Sequence, residues 1–186
     1  MAGFFQDIVA IFSRLQDDDA TVQDVVPRIE LVEAAEIPEP YRSLLVHDRD
    51  MTGTLAAYWK LPIALDPLAV QREGDILYRQ VVLTAGPDRI PVEAGAIKIY
   101  LDRFPSAALR VITQSLQPLG AVLTEYKIPY ISAPRGFFRL PANERLREAL
   151  GDPREQTLYG RRNRLTNPAG EPIADVVEIL PATQNS

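Results

Sequence analysis

Two charged residues in this chain sit where a charge is costly. Glu178 lies inside Val176-Val-Glu-Ile-Leu-Pro181, and Arg79 lies inside Ile76-Leu-Tyr-Arg-Gln-Val-Val-Leu83. A charge buried in such a run needs an opposite charge, a set of hydrogen bonds or a ligand. An Arg and a Glu, each embedded in a β-type segment, could face one interior cavity suited to a small anion. Period-2 alternation groups Arg79 with Leu77, Val81 and Leu83, against Ile76, Tyr78, Gln80 and Val82. The side with Tyr78 and Gln80 is the wetter, which favours Arg79 inward. Glu178 shares a side with Ala174, Val176 and Leu180, and Asp175 shares the other with Ile173, Val177 and Ile179. A plain Arg–Glu ion pair with no ligand is the alternative reading of the same pattern.

Three further clusters could carry chemistry. Gly160-Arg-Arg-Asn-Arg164 is cationic, with Arg162 and Arg164 on one side of a strand and Arg161 and Asn163 on the other. A guanidinium fork suits bidentate carboxylate or phosphate binding; an exposed basic strand beside acidic neighbours is the favoured reading. His47-Asp-Arg-Asp-Met51 holds the only histidine, beside two acids and an arginine. Such a histidine could act as a general base, but no G-x-S-x-G motif completes a triad, and a capping and salt-bridge cluster is the favoured reading of the run. Pro118-Leu-Gly120 reads as a helix start whose free N–H groups could receive a carboxylate.

The elements that must position these residues follow from periodicity and turn chemistry. Phe4, Ile8, Ile11, Phe12 and Leu15 recur at helical spacing, so an amphipathic helix packed on the body is expected, then a Pro-punctuated connector over residues 20–40. Tyr41–His47 and Asp50–Trp59 read as helices, the second capped by Asp50 or Thr52. Ile63–Gln71, Ile76–Leu83 and Ile90–Leu101 read as a meander of antiparallel strands, separated by Arg-Glu-Gly-Asp (72–75) and Ala-Gly-Pro-Asp (85–88) turns. Helices are expected at Ser106–Leu116 and from Pro118 to Tyr126, a strand around Tyr130–Leu140 and a helix at Asn143–Leu150. A strand pair, Leu158–Thr166 and Ile173–Leu180, closes the chain. The pattern predicts a single α+β domain over residues 1–186 with about six antiparallel strands.

Composition narrows the function classes. At 186 residues the chain supports one sizeable core, and an apolar fraction of 46% is ordinary for a globular domain. A formal net charge of −5 argues against a general nucleic-acid or anionic-membrane binder, and only Tyr159 accompanies the basic cluster as a stacking aromatic. With no Cys and one His, thiolate metal sites, Cys nucleophiles and multi-histidine centres are excluded within one chain. No stretch is long and apolar enough to span a bilayer, the N-terminus lacks the basic start of a signal peptide, and a cytoplasmic location is expected.

Read together, the segments Asp50-Met-Thr52, Tyr78-Arg-Gln-Val-Val-Leu83, Ala94-Gly-Ala-Ile97, Asp102-Arg-Phe-Pro105, Pro118-Leu-Gly120, Tyr159-Gly-Arg-Arg-Asn-Arg164 and Glu178-Ile-Leu-Pro181 resemble the chorismate pyruvate-lyase family. They occur in that family's order. The resemblance implies a six-stranded antiparallel sheet with helices forming flaps over an internal ligand cavity. It implies cofactor-free elimination of pyruvate from chorismate to give a hydroxybenzoate. Arg79 would hold the ligand carboxylate. Glu178, with a raised pKa, would protonate or orient the leaving side. Met51 and the Leu119 backbone would contact the ligand. One departure is Ala96, where the family carries a second arginine; Lys98, on the same side of the strand, would be the substitute charge. The candidate catalytic residues are therefore Glu178 and Arg79. The candidate ligand-binding residues are Arg79, Met51, Leu119, Gly120, Lys98 and His47, with no metal and no cofactor. The expected partner is a small aromatic or cyclic carboxylate. A same-fold enzyme acting on another small carboxylate stays open, favoured by Ala96. So does a non-catalytic binder of a small aromatic acid, which ranks third because no DNA-binding domain is recognisable.

Overall fold

Seven strands pair antiparallel into one open sheet of order β1-β5-β6-β7-β4-β3-β2. The computed structural model describes residues 29–152, 154 and 156–181. The expected N-terminal amphipathic helix lies outside these residues. The strands are β1 (Glu30–Val32), β2 (Ile63–Glu73), β3 (Ile76–Ala85), β4 (Ile90–Tyr100), β5 (Ile131–Pro141), β6 (Thr157–Thr166) and β7 (Pro172–Leu180). Five α-helices are described: α1 (Tyr41–Leu45), α2 (Met51–Trp59), α3 (Ser106–Gln114), α4 (Leu119–Glu125) and α5 (Glu144–Leu150). The α+β class and the antiparallel pairing match the sequence expectation; the strand number is corrected from six to seven. The extra strand, Glu-Leu-Val, is too short to show alternation, and it forms only by pairing Leu31 with Phe138 of β5.

Local chemistry sets the boundaries. Residues Gly74 and Asp75 join β2 to β3 as a two-residue hairpin turn, with Gly74 at φ +58° supplying the left-handed conformation. Asp50, not Thr52, caps α2 by accepting from Gly53 N at 2.6 Å. Asn143 caps α5 by accepting from Leu146 N at 2.9 Å. At Gly160 a Cβ would lie 2.5 Å from Glu178 O and from Phe138 Cζ, so the aromatic ring of β5 crosses β6 only because that residue is glycine.

The sheet is covered on both faces. On one face Leu146 and Leu150 of α5 pack on Ala94, Ala96, Phe138, Leu140, Leu158, Val177 and Ile179. The other face carries two clusters. One joins α3 and α4 to Leu77, Ile97, Ile99 and Leu165; the other joins α1 and α2 to Leu65, Val81, Leu83 and Leu180. Between these clusters lie the side chains that the strand pattern alone could not place. Among the described residues no helix is long and apolar enough to cross a membrane.

Candidate functional site

The pocket lies on the sheet face covered by α1 to α4. Strand register builds its floor. Arg79 pairs with Ile97, which pairs with Val176; Val81 pairs with Gly95, which pairs with Glu178. Leu83 pairs with Glu93 in the same ladder, and Val176 pairs with Asn163 on β6. Period-2 alternation therefore directs Arg79, Glu93, Asn163 and Glu178 to one side of four consecutive strands. The roof is the start of α2 (Asp50–Thr52) and the start of α4 (Pro118–Gly120). These two starts meet because Gly120 has no side chain: a Cβ there would lie 2.9 Å from Asp50 Oδ1 and 3.1 Å from Thr52 Oγ1. The hollow holds about 580 Å³, its open mouth included. Apart from these polar groups it is walled by aliphatic side chains such as Leu65, Val81, Leu83 and Ile97.

The polar groups have unequal partners. The Arg79 guanidinium is 1% exposed and donates to Gln117 O at 3.3 Å, but no carboxylate among the described residues pairs with it. Its Nε has no hydrogen-bond partner, and burial pulls its pKa down to about 10, so it is still cationic at neutral pH. Glu178 is ion-paired with Arg161, whose side chain is fully buried. Arg161 also donates through Nη1 to Leu45 O and His47 O, each at 3.0 Å. One guanidinium thus ties the end of α1 and the segment after it to the pocket wall.

Glu93 is the second group without a full partner set. It is 4% exposed, and its Oε2 has no hydrogen-bond partner. Burial first, and the neighbouring Glu178 second, push its pKa well above the usual carboxylate range, against a weaker opposing pull from Arg161. Asn163 donates through Nδ2 to Ser132 Oγ at 3.0 Å, which leaves Oδ1 unpartnered.

Of the residues singled out from sequence, Arg79, Glu178, Met51, Leu119 and Gly120 all line this one pocket. Lys98 does not. Alternation puts it on the far face with Ala96, and its ammonium sits 4.8 Å from the centre of the Tyr100 ring. Ala96 is itself buried in the far-face core, so a cationic side chain at 96 or 98 points away from the pocket. His47 is also absent from the lining. Its Nε2 lies 2.7 Å from Leu44 O, and its Nδ1 lies 3.2 Å from Arg49 N and 3.3 Å from Arg161 Nη1. Burial and then Arg161 lower its pKa, so the ring is a neutral prop for Arg161 rather than a ligand contact. The Gly160–Arg164 strand is also not the exposed basic surface favoured above. Arg161, Arg162 and Asn163 are buried, and Arg162 and Arg164 reach Asp175 across the strand pair. Sequence reading missed Arg161 as the partner of Glu178, and Glu93 altogether. Glu93 carries the signal that exposed Glu178: an acid inside an apolar strand, Ile90-Pro-Val-Glu-Ala-Gly-Ala-Ile97. Among the described residues no group of three or more His, Cys, Asp or Glu is placed to hold a metal ion.

No protein-family model and no curated protein matches this chain. Solved structures do. The effector domain of PhnF from Mycobacterium smegmatis superposes with a TM-score of 0.54 at 15% identity, over 74% of this chain and 96% of that one. PhnF from the same organism superposes with a TM-score of 0.53 at 14% identity, over 74% of this chain and 69% of that one. A weaker likeness, TM-score 0.49 at 14% identity over 68% of this chain and 96% of the other, is to a chain described as the ligand-binding domain of a GntR-family transcriptional regulator from Bordetella bronchiseptica. The fold is thus that of the PhnF effector domain.

This overturns the lyase expectation. The solved structures that share the fold are PhnF and its effector domain, and the assignment of an enzyme that turns chorismate into pyruvate and a hydroxybenzoate is withdrawn. The motifs that prompted it lie on the strands and helix starts that build the sheet and roof. They report a fold, and a fold does not carry a chemistry with it. Glu178, the expected acid, is held in an ion pair by Arg161.

Proposed function

We propose that this chain is a cytoplasmic ligand-binding domain for a small cyclic or aromatic carboxylate, with Arg79 as its anchor, and that the described residues form a single such domain. One observation carries the reading: a buried guanidinium lines a pocket, lacks a carboxylate partner and keeps an unbonded Nε–H. An unpaired buried cation costs stability, and a ligand carboxylate, accepting from two N–H groups at once, would compensate it. Met51, Leu119 and Gly120 supply the roof against which the apolar body of the ligand packs. His47 and Lys98, off the pocket, are left out of this site. The likeness to the PhnF effector domain supports a regulatory use of the bound ligand. Calorimetric titration with benzoate and cyclohexanecarboxylate, beside the uncharged benzamide, tests the proposal. The carboxylates bind and the amide does not, and Arg79→Met weakens carboxylate binding at least about tenfold, as for loss of a hydrogen bond to a charged group. Equal affinity for benzoate and benzamide rejects it.

A further inference from the structure

The sheet face opposite the pocket is apolar at one end and cationic at the other. At the apolar end α5 packs on Ala94, Leu140, Leu158 and Ile179. At the other, strand register sets Lys98, Asp175 and Arg164 in one row across β4, β7 and β6. That row lies four residues along β4 from Ala94 and four along β7 from Ile179, roughly 13 Å away. Arg162, opposite Val177, points to the same side. Asp175 accepts from Arg164 at 2.8 and 3.1 Å and from the Tyr100 hydroxyl at 3.2 Å, and Arg162 Nη2 reaches it at 3.5 Å. The Lys98 ammonium lies over the Tyr100 ring. On these three strands one carboxylate thus stands among three cations on the far face, in a chain whose formal net charge is −5.

Residues 1–28 have the complementary make-up. Phe4, Ile8, Ile11, Phe12 and Leu15 make an apolar stripe at helical spacing. Asp7 flanks that stripe, three residues after Phe4 and four before Ile11, and Asp17-Asp-Asp19 follows it. Over residues 1–28 five aspartates stand against two arginines. The path of the chain leads to the same face. Ile29 packs against the far-face cluster, and Glu30–Val32 then pairs with β5, so the chain enters β1 from the far side of the sheet. The lengths also match. Residues 4–15 span about 18 Å as a helix, and β6 to β3 is three strand spacings, about 14 Å. The chain between Leu15 and Ile29 reaches up to roughly 40 Å when extended, ample to return to the sheet edge.

We infer that the far face of β3, β4, β7 and β6 is a docking surface for this chain's own N-terminal segment, residues 4–19. The stripe from Phe4 to Leu15 seats on Tyr78, Ala96 and Tyr100 beside α5, and Asp7 and Asp17–Asp19 meet Lys98, Arg162 and Arg164. Seating removes the stripe from water, and the acids balance the charge of the row. The consequence reaches the pocket, because β4 and β7 serve both faces. Gly95 and Glu178 line the hollow on one side, while their neighbours Ala96 and Val177 lie on the other. The docked segment thus braces the back of the pocket floor.

Paramagnetic broadening of amide signals in the full chain tests this. The sequence has no cysteine, so Ser13→Cys, opposite the apolar stripe at helical spacing, takes a single nitroxide label. Amides of α5, Lys98, Tyr100 and Arg164 lose most of their intensity, while those of α2 and α4, on the pocket side, keep theirs. Changing Ile8 and Phe12 together to Glu restores the lost signals. Changing Asp17, Asp18 and Asp19 together to Lys restores part of them. Broadening on α2 and α4 instead, or on neither face, overturns the inference. So does broadening indifferent to Ile8→Glu with Phe12→Glu, and indifference to the lysine changes overturns the charge pairing. The Ser13→Cys measurement decides by itself if the other variants fail to fold. Mixing labelled chains with nitrogen-15 chains that carry no label identifies a second copy as the acceptor. Broadening in that mixture as strong as within one chain means that the segment docks on another molecule, and the assignment to its own chain falls.

Discussion

Glu93 occupies the space that a side chain on Gly95 would fill, its Oε1 lying 2.9 Å from where that Cβ would be. The two residues are neighbours on β4 and face the same pocket. The absence of a side chain at Gly95 is therefore what lets a buried carboxyl lie beside Glu178.

A methyl group at Gly95 must push that carboxyl aside or fill the pocket floor. Val81 Cγ2, at 3.4 Å from the same point, closes off one direction of escape. Gly95→Ala should keep the fold, since the crowded atom is the end of a side chain rather than backbone. Binding of carboxylate probes should weaken at least about tenfold, given an overpacking cost of about 1–3 kcal/mol at the floor. Circular dichroism with calorimetry separates the two effects.

The Arg161–Glu178 pair should show strong coupling. Arg161→Leu leaves Glu178 buried without its cation and removes the donors to Leu45 O and His47 O. The expected loss is about 3–5 kcal/mol, whereas Arg161→Leu combined with Glu178→Leu costs less than the sum of the two singles. Urea denaturation of the four proteins in the cycle measures this.

Glu93 sets a pH dependence of stability. Its folded pKa is raised, by burial first and by Glu178 second, while an unfolded glutamate titrates near about 4.3. Below that value both states hold the proton and the full contribution is present. Above it only the folded state holds the proton, so stability falls as pH rises until the folded group ionises. The charged groups around it are Glu178 on the neighbouring β7 and Arg161 on β6 beyond it, with Arg79 and Asp50 on the same pocket. Glu93→Gln should flatten the fall above pH 5 and be more stable than the wild type at pH 8. Thermal melts across that range test the sign.

How much of this was legible in the sequence depends on which face of a strand had to be known. The hairpin at Gly74, the caps at Asp50 and Asn143 and the run of antiparallel strands are written in local residue types, and they appear where turn and cap chemistry put them. Arg79 and Glu178 stood out because each interrupts an apolar run. Arg161 did not, because Gly-Arg-Arg-Asn-Arg reads as a wet surface; only the placement of α1 above β6 turns it into a buried clasp. Glu93 carried the same signal as Glu178, an acid inside a run already read as a strand, and only the register with β3 and β7 shows that it faces the pocket. Ala96 and Lys98 misled because the sheet face they occupy is fixed by register with β3 and β7, which composition does not encode. The motif set identified a fold and was read as a reaction.

Arg79 should trade stability for binding. Its guanidinium is buried without a counter-charge. Arg79→Met should therefore raise the melting temperature of the ligand-free protein, by the equivalent of about 1–3 kcal/mol, while abolishing stabilisation by added benzoate. Differential scanning calorimetry with and without benzoate reads both.

The most direct test follows the Arg79 Nε–H itself by nitrogen-15 NMR, with the resonance assigned by its loss in Arg79→Met. The free protein should show a slowly exchanging signal, because the group is buried and unbonded. Benzoate should move that signal in step with calorimetric saturation, and benzamide should leave it in place. A signal that stays fixed while benzoate saturates the protein would contradict the carboxylate anchor.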